Sequence, residues 1–179
     1  MTGDERVRLF CGLCLDEEAA EALAGWIAEQ PPGAYRAVPP ASLHVTLAFL
    51  GHRLVGEIDA IARELRAAAA AARPVELRPL RYRETRSVGM LVCEDVEGAG
   101  AELAAELQRR LAALGVYEPE QRRWLPHVTV LRFRGGPPRL RPGLPNVRSL
   151  RVVRSALYRS LLRAGGAQYE IVESARLGG

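Results

Sequence analysis

The chain states one pattern twice, and this duplication constrains its fold more than any other feature. Residues 42–51 read SLHVTLAFLG and residues 125–134 read LPHVTVLRFR. Each holds His-x-Thr followed by an apolar residue: His44-Val45-Thr46-Leu47 and His127-Val128-Thr129-Val130. Both segments alternate as a strand does, and in a strand residues i and i+2 share a face. His44 and Thr46 therefore point one way while Val45 and Leu47 point into a core. His127 and Thr129 repeat that geometry. The sequence contains only three histidines, and two of them occupy matching places. Two imidazoles and two hydroxyls presented by two strands suit acid-base chemistry on a phosphate ester.

The segments around the motifs extend the repeat. Arg6–Leu15 is β-prone and ends at Asp16, a good N-cap for a helix over 17–29 with Leu23, Trp26 and Ile27 as its apolar stripe. Gln30-Pro31-Pro32-Gly33 stops that helix, Pro39-Pro40 introduces the first histidine strand, and Gly51 is expected to close it. Ile58, Ile61 and Leu65 mark a second helix from about 56 to 72. Strands follow near 75–83 and 87–94. Leu103, Leu107, Leu111 and Leu114 describe a third helix, stopped by Gly115. After the second histidine strand, Gly135–Pro145 has the composition of a mobile loop. Two last strands are expected near 148–160 and 167–176, joined by Arg163-Ala164-Gly165-Gly166. Strand, helix and histidine strand thus occur twice, which predicts two lobes related by a pseudo-two-fold axis, each giving one His-Thr pair to a central cleft. No linker composition separates the lobes, so residues 1–179 are read as one bilobal domain.

Charge is distributed unevenly. All 25 basic residues are Arg, and the net charge is +4. From Gln121 to Tyr169 there are eleven Arg and no Asp or Glu. On one surface they would form a field attractive to phosphates; scattered over several faces they would be ordinary solvated side chains. Three cysteines, Cys11, Cys14 and Cys93, make no disulfide framework. The short apolar run Leu9–Leu15 gives way to acidic residues and fits neither a signal peptide nor a membrane span. A cytoplasmic, monomeric protein that contacts no membrane is the default expectation.

With these residues in place, the chain resembles the two-histidine phosphoesterases, and within them the bacterial and archaeal RNA 2′,3′-cyclic phosphodiesterases, also called 2′-5′ RNA ligases. The resemblance runs through Arg8-Leu9-Phe10, the Val38-Pro39-Pro40 approach to Leu43-His44, and Phe49-Leu50-Gly51. It continues through Pro126-His127-Val128-Thr129 with Arg132 three residues beyond, Leu157-Tyr158-Arg159-Ser160, and Gly165-Gly166-Ala167-Gln168-Tyr169. The chain departs from the family at Ala37, where members often carry an aromatic residue, and around Leu91, where many have Trp. Both departures bear on the cleft wall and on base preference.

The resemblance implies an α+β bilobal fold, each lobe an antiparallel sheet with packed helices. It also implies metal-independent, cofactor-free hydrolysis of an RNA 2′,3′-cyclic phosphate, or of a cyclic nucleotide, to a 2′-phosphate. His44 would be the proton donor and His127 the proton acceptor, while Thr46, Thr129 and Arg132 bind the phosphate. Imidazole suits both transfers because its ordinary pKa, about 6.5, lies near neutral pH. The reverse reaction would join a cyclic end to a 5′-hydroxyl as a 2′-5′ linkage. Three other readings stand beside this one. They are a related enzyme acting on a small nucleotide such as ADP-ribose 1″,2″-cyclic phosphate, a non-catalytic nucleotide- or RNA-binding module, and a zinc site built from Cys and His, which lacks ligand clustering. The remaining candidates read as structural: His52 as a surface residue, Cys11 and Cys14 as buried apolar groups facing opposite sides of a strand, and Trp26 as core. Trp124 is read equally as packing or as a base-stacking surface, and Tyr158 and Arg159 as possible cleft lining.

Overall fold

The computed structural model describes residues 5–163 and 166–178. Among the described residues, nine strands and three α-helices make an α+β fold. Strand β1 (Arg6–Cys14) runs into helix α1 (Glu17–Ala28), then the short β2 (Tyr35–Ala37) and the first histidine strand β3 (His44–Leu54). Helix α2 (Ile58–Ala71) leads to β4 (Val75–Glu84), β5 (Val88–Asp95) and helix α3 (Ala99–Ala113). The second histidine strand β6 (His127–Phe133), β7 (Leu150–Val152), β8 (Arg154–Arg163) and β9 (Gly166–Arg176) complete the chain.

The helices form where the sequence supplies periodicity and caps. The Asp16 carboxylate accepts the Ala19 N–H at 2.8 Å, satisfying an otherwise orphan donor at the start of α1. Leu23, Trp26 and Ile27 are buried as one stripe. Gly115, at φ +78°, provides the left-handed turn that ends α3 just past Leu114.

All strand pairings are antiparallel, in the order β7-β4-β5-β6-β3-β1-β8-β9, with β2 also on β6. The centre of this sheet is a seam. β3 and β6 meet through one residue pair, Val45 with Val128, and the edge of β6 beyond it, Leu131–Phe133, is taken by β2. The two half-sheets therefore separate on either side of the two motifs. Topology mirrors across the seam: β1 pairs with β3 as β5 pairs with β6. Helix α1 lies across the seam against β2 and β6, while α3 straddles it, lying against β3 and against β4 and β5 of its own half. Across the seam, the Gln108 side chain of α3 donates to the Leu47 carbonyl at 2.7 Å. The helices and the inward faces of both half-sheets share one apolar core, with Leu9, Leu13, Val45, Leu65, Leu107 and Val128 sealed from solvent.

Three expectations change. Gly51 bends its strand rather than ending it: its φ of +68° accompanies a register shift opposite Leu9 and Phe10, and pairing continues to Leu54. The segment expected as one strand over 148–160 divides at Val153. β7 joins β4 and β8 joins β1, so the chain passes there from one half-sheet to the other. The Gly135–Pro145 loop is pinned rather than loose. Glu84 accepts the Arg139 and Leu140 N–H groups at 2.8 Å each, and the Trp26 indole donates to the Gly143 carbonyl at 2.9 Å. Ala164 and Gly165 of the last connection lie outside the described residues. Among the described residues no helix is long and apolar enough to cross a membrane.

Candidate active site

The seam brings the two motifs together. In an antiparallel pair registered on Val45 and Val128, His44 lies toward Thr129 and His127 toward Thr46. Each histidine thus lies across the seam from the threonine of the other copy. The valines between them are fully buried, while all four polar residues are half-buried on the opposite face.

Each histidine is held in the same way. His44 Nδ1 lies 2.8 Å from the Ser42 carbonyl, and His127 Nδ1 lies 2.8 Å from the Leu125 carbonyl. A carbonyl can only accept, so the proton sits on Nδ1 in both rings. Nε2 is left as the lone-pair nitrogen of the neutral form and as the donor of the charged one. Both partners are two residues upstream, which makes the duplication of sequence a duplication of tautomer.

A second duplicated device follows each threonine. β1 pairs Cys11 with Ala48 but Gly12 with Thr46, leaving Leu47 as an extra residue. β5 pairs Gly89 with Leu131 but Met90 with Thr129, leaving Val130 as an extra residue. Strict alternation would send the third residue after each threonine to the core. The bulge sends it to the cleft face instead. Phe49 and Arg132 are those residues. Phe49 is 46% exposed, stacks on Phe10 at 6.2 Å between centroids, and lies under the Arg8 guanidinium. Arg132 donates to the Tyr169 hydroxyl at 2.9 Å.

The surroundings of the two histidines differ. His44 sits in an aromatic enclosure, its ring centroid 4.7 Å from Phe10, 5.5 Å from Tyr158 and 5.2 Å from Tyr169, the last edge-on. Burial there pushes its pKa down to about 4; the charges of Arg132 and His127 add to the effect, and the bond to the Ser42 carbonyl opposes it. The free cleft therefore holds His44 neutral at pH 7. Gly12 makes room for this ring: a Cβ there would meet the Val45 carbonyl at 3.0 Å and His44 Cδ2 and Tyr158 at 3.4 Å.

Trp124 is packing rather than an open stacking surface. Its indole N–H donates to the Thr46 carbonyl at 2.8 Å, tying the approach of the second motif to the first, and its ring lies against Gly100. His52 is exposed. Cys11 is buried in the core, whereas Cys14 faces Tyr158, whose hydroxyl donates to its Sγ at 3.2 Å. The eleven arginines do not act as one surface: Arg122 pairs with Glu120, Arg159 with Glu5, and Arg154 donates to Ser174, while Arg132 and Arg134 line a cavity beside the second motif. Among the described residues no three His, Cys, Asp or Glu side chains cluster as metal ligands.

A family model, the 2′-5′ RNA ligase superfamily, matches residues 15–163. The chain belongs to the 2′-5′ RNA ligase superfamily. This superfamily fold recurs in a Thermus thermophilus protein that is 28% identical, with a TM-score of 0.81 over 96% of this chain and 98% of the other. It recurs in E. coli LigT complexed with NADP+, 25% identical, with a TM-score of 0.81 over 98% of this chain and 100% of LigT. LigT complexed with phosphate matches at 25% identity and a TM-score of 0.80 over the same shares. No curated protein matches the chain at the sequence level. Membership in the superfamily agrees with the resemblance seen in the paired motifs, and the α+β architecture agrees with the fold expected from them. The sequence reading left Phe10, Phe49 and Tyr169 without roles. Phe49 carried a signal, because two consecutive apolar residues after each threonine, Leu47-Ala48 and Val130-Leu131, break the alternation where the bulges occur.

Proposed function

We propose that this protein hydrolyses RNA 2′,3′-cyclic phosphate ends to 2′-phosphates without a metal, through paired histidine acid-base catalysis. The observation that carries the reading is the matched pair of Nδ1-anchored imidazoles on adjacent strands, each opposite the other copy's threonine. His127 Nε2 takes a proton from water as the water oxygen bonds to phosphorus. The P–O3′ bond breaks, and His44 Nε2 gives its proton to O3′, leaving a 2′-phosphate monoester. Each transfer is typically worth about 10²–10⁴ in rate. Thr46 and Thr129 donate to the non-bridging oxygens, and Arg132 adds a charge-assisted contact. His44 is neutral in the free cleft, so it becomes a donor only when substrate arrives; the phosphodiester charge offsets that of Arg132 and favours the imidazolium.

Two features of the relatives support this substrate class. LigT is seen with phosphate and with NADP+, and NADP+ carries a ribose 2′-phosphate, the group that this ring opening leaves. Both histidines come from one chain, which supports a monomer as the acting unit. One sheet continuous across both halves supports a single bilobal domain, and the three free thiols suit a cytoplasmic setting. Run backward, the same transfers would form a 2′-5′ linkage from a cyclic end and a 5′-hydroxyl.

The test is incubation with a short RNA bearing a 2′,3′-cyclic phosphate in EDTA, with the terminal phosphate identified. Full activity and a 2′-phosphate product are expected, with a bell-shaped pH profile whose two apparent values belong to the coupled pair. Loss in EDTA restored by a divalent ion would overturn the reading, and binding without turnover would leave a nucleotide-binding module. Roles are separated by a substrate with sulfur at the 3′ bridge, whose thiolate departs without protonation. It should rescue His44→Ala but not His127→Ala; the opposite pattern would exchange donor and acceptor.

A further inference from the structure

Resting on the phosphodiesterase reading above, we propose that Arg36 holds a second phosphate of the substrate, making an RNA chain rather than a mononucleotide the preferred ligand. Arg36 of β2 and Arg132 of β6 are direct cross-strand partners, so their side chains share a face. Like charges directly opposite each other on neighbouring strands destabilise a sheet. Among the described residues neither arginine forms an ion pair with a carboxylate. An anion between them would offset that repulsion.

The space for one is present. The pair borders an open cavity of about 570 Å³ that is also lined by Tyr35, Ser87 and Arg134, with no carboxylate among its described lining residues. A second cavity, about 390 Å³, lies on the other side of Tyr158 and is lined by Asp16, Glu17 and Glu21, which repel a polyanion. The charge contrast sets a direction for the chain, away from helix α1's acidic start and along β2 and β6. Arg36 is also positioned in advance. Its guanidinium packs against the backbone of Gly166, at the start of β9 in the opposite half-sheet, where a Cβ would collide with it. The side chain thus spans the opening between the half-sheets next to Arg132, which itself reaches β9 through Tyr169. With the cyclic phosphate at the histidines and Arg132, the next phosphodiester along the strand falls to Arg36, with Ser87 and Arg134 at the cavity wall.

The experiment measures kcat/KM for wild type, Arg36→Ser and Arg36→Lys at two salt concentrations. The substrates are adenosine 2′,3′-cyclic phosphate, a trinucleotide ending in a 2′,3′-cyclic phosphate, and ADP-ribose 1″,2″-cyclic phosphate. Wild type should prefer the trinucleotide. Arg36→Ser should lose about tenfold on it, chiefly through KM, and the magnitude of the log–log salt slope should fall by about 0.7. Mononucleotide hydrolysis should stay within about twofold, which also reports an intact fold, and Arg36→Lys should recover part of the loss. Equal losses on the mononucleotide and the trinucleotide would make Arg36 a structural tie to β9 and overturn the proposal. A loss confined to the ADP-ribose substrate would overturn it in favour of a diphosphate subsite. Wild type that hydrolyses none of the three would instead refute the phosphodiesterase reading beneath it.

Discussion

The enclosure of His44 has a consequence for stability that can be measured without substrate. Phe10, Tyr158 and Tyr169 remove its ring from water and hold its pKa at about 4, against an ordinary value of 6.5. At 1.36 kcal/mol per pH unit, that gap disfavours the imidazolium in the folded protein by about 3 kcal/mol. Above pH 6.5 neither folded nor unfolded chain binds this proton, and the term is absent. Between pH 6.5 and about 4 the unfolded chain binds it and the folded chain does not, so stability rises with pH across that window and falls as pH drops through it. Below about 4 both states are protonated and the full loss has accrued.

His44→Asn removes the titration while keeping a polar side chain of similar reach. Urea unfolding of wild type and variant, measured from pH 7 to pH 4, cancels the carboxylates that both share. The wild type should lose about 3 kcal/mol more than the variant over this range. A second arm adds inorganic phosphate. An anion beside Arg132 and both rings should pull the proton onto His44 and move its imidazole NMR titration upward. Parallel stability curves for the two proteins would refute the argument, because they would mean that His44 is solvated in the folded state. The donor role would then need no help from substrate charge.

Three further substitutions probe the site from either side. Thr46→Val and Thr129→Val keep β-branched shape and remove one hydrogen bond each to the phosphate; each should cost on the order of 1.5–3 kcal/mol of transition-state stabilisation. Unchanged kcat/KM in either variant would show that its hydroxyl does not touch the phosphate. Gly12→Ala places a methyl 3.0 Å from the Val45 carbonyl and 3.4 Å from His44 Cδ2, so the backbone next to His44 must yield by a few tenths of an ångström and carry the imidazole with it. A fall in kcat without loss of thermal unfolding cooperativity is expected, since small displacements of a reacting group are costly; wild-type kcat would show that the ring has slack.

Much of the site was legible because its positioning is local. Period-two alternation alone turns His44 with Thr46 and His127 with Thr129, and the repeat of strand, helix and histidine strand predicts two halves. What stayed hidden depends on pairings distant in sequence. Tyr169 encloses His44 because β9 lies beyond β1 and β8, and nothing near His44 announces it; the expectation that Tyr158 lines the cleft is met from β8. β2 is three residues between proline-rich segments, too short for periodicity, and it exists because β3 and β6 diverge and leave an edge to fill. Val153 splits a run that reads as one strand because each half is claimed by a different half-sheet.

The bulges show how a duplicated frame came to hold unlike contents. Leu47-Ala48 and Val130-Leu131 place two buried residues in succession, so both copies turn their next residue outward at the same step. The backbone solution is shared, yet the residue it presents is Phe49 in one half and Arg132 in the other. An aromatic face is electrically neutral and suits a base; a guanidinium suits an oxyanion. The same asymmetry appears in the histidines, one enclosed by aromatic rings and one without them. Pseudo-symmetry therefore supplies the opposed placement that two proton transfers need. Under the proposed function, these departures from symmetry would give the cleft a nucleoside end and a phosphate end, and so a direction in which a strand binds.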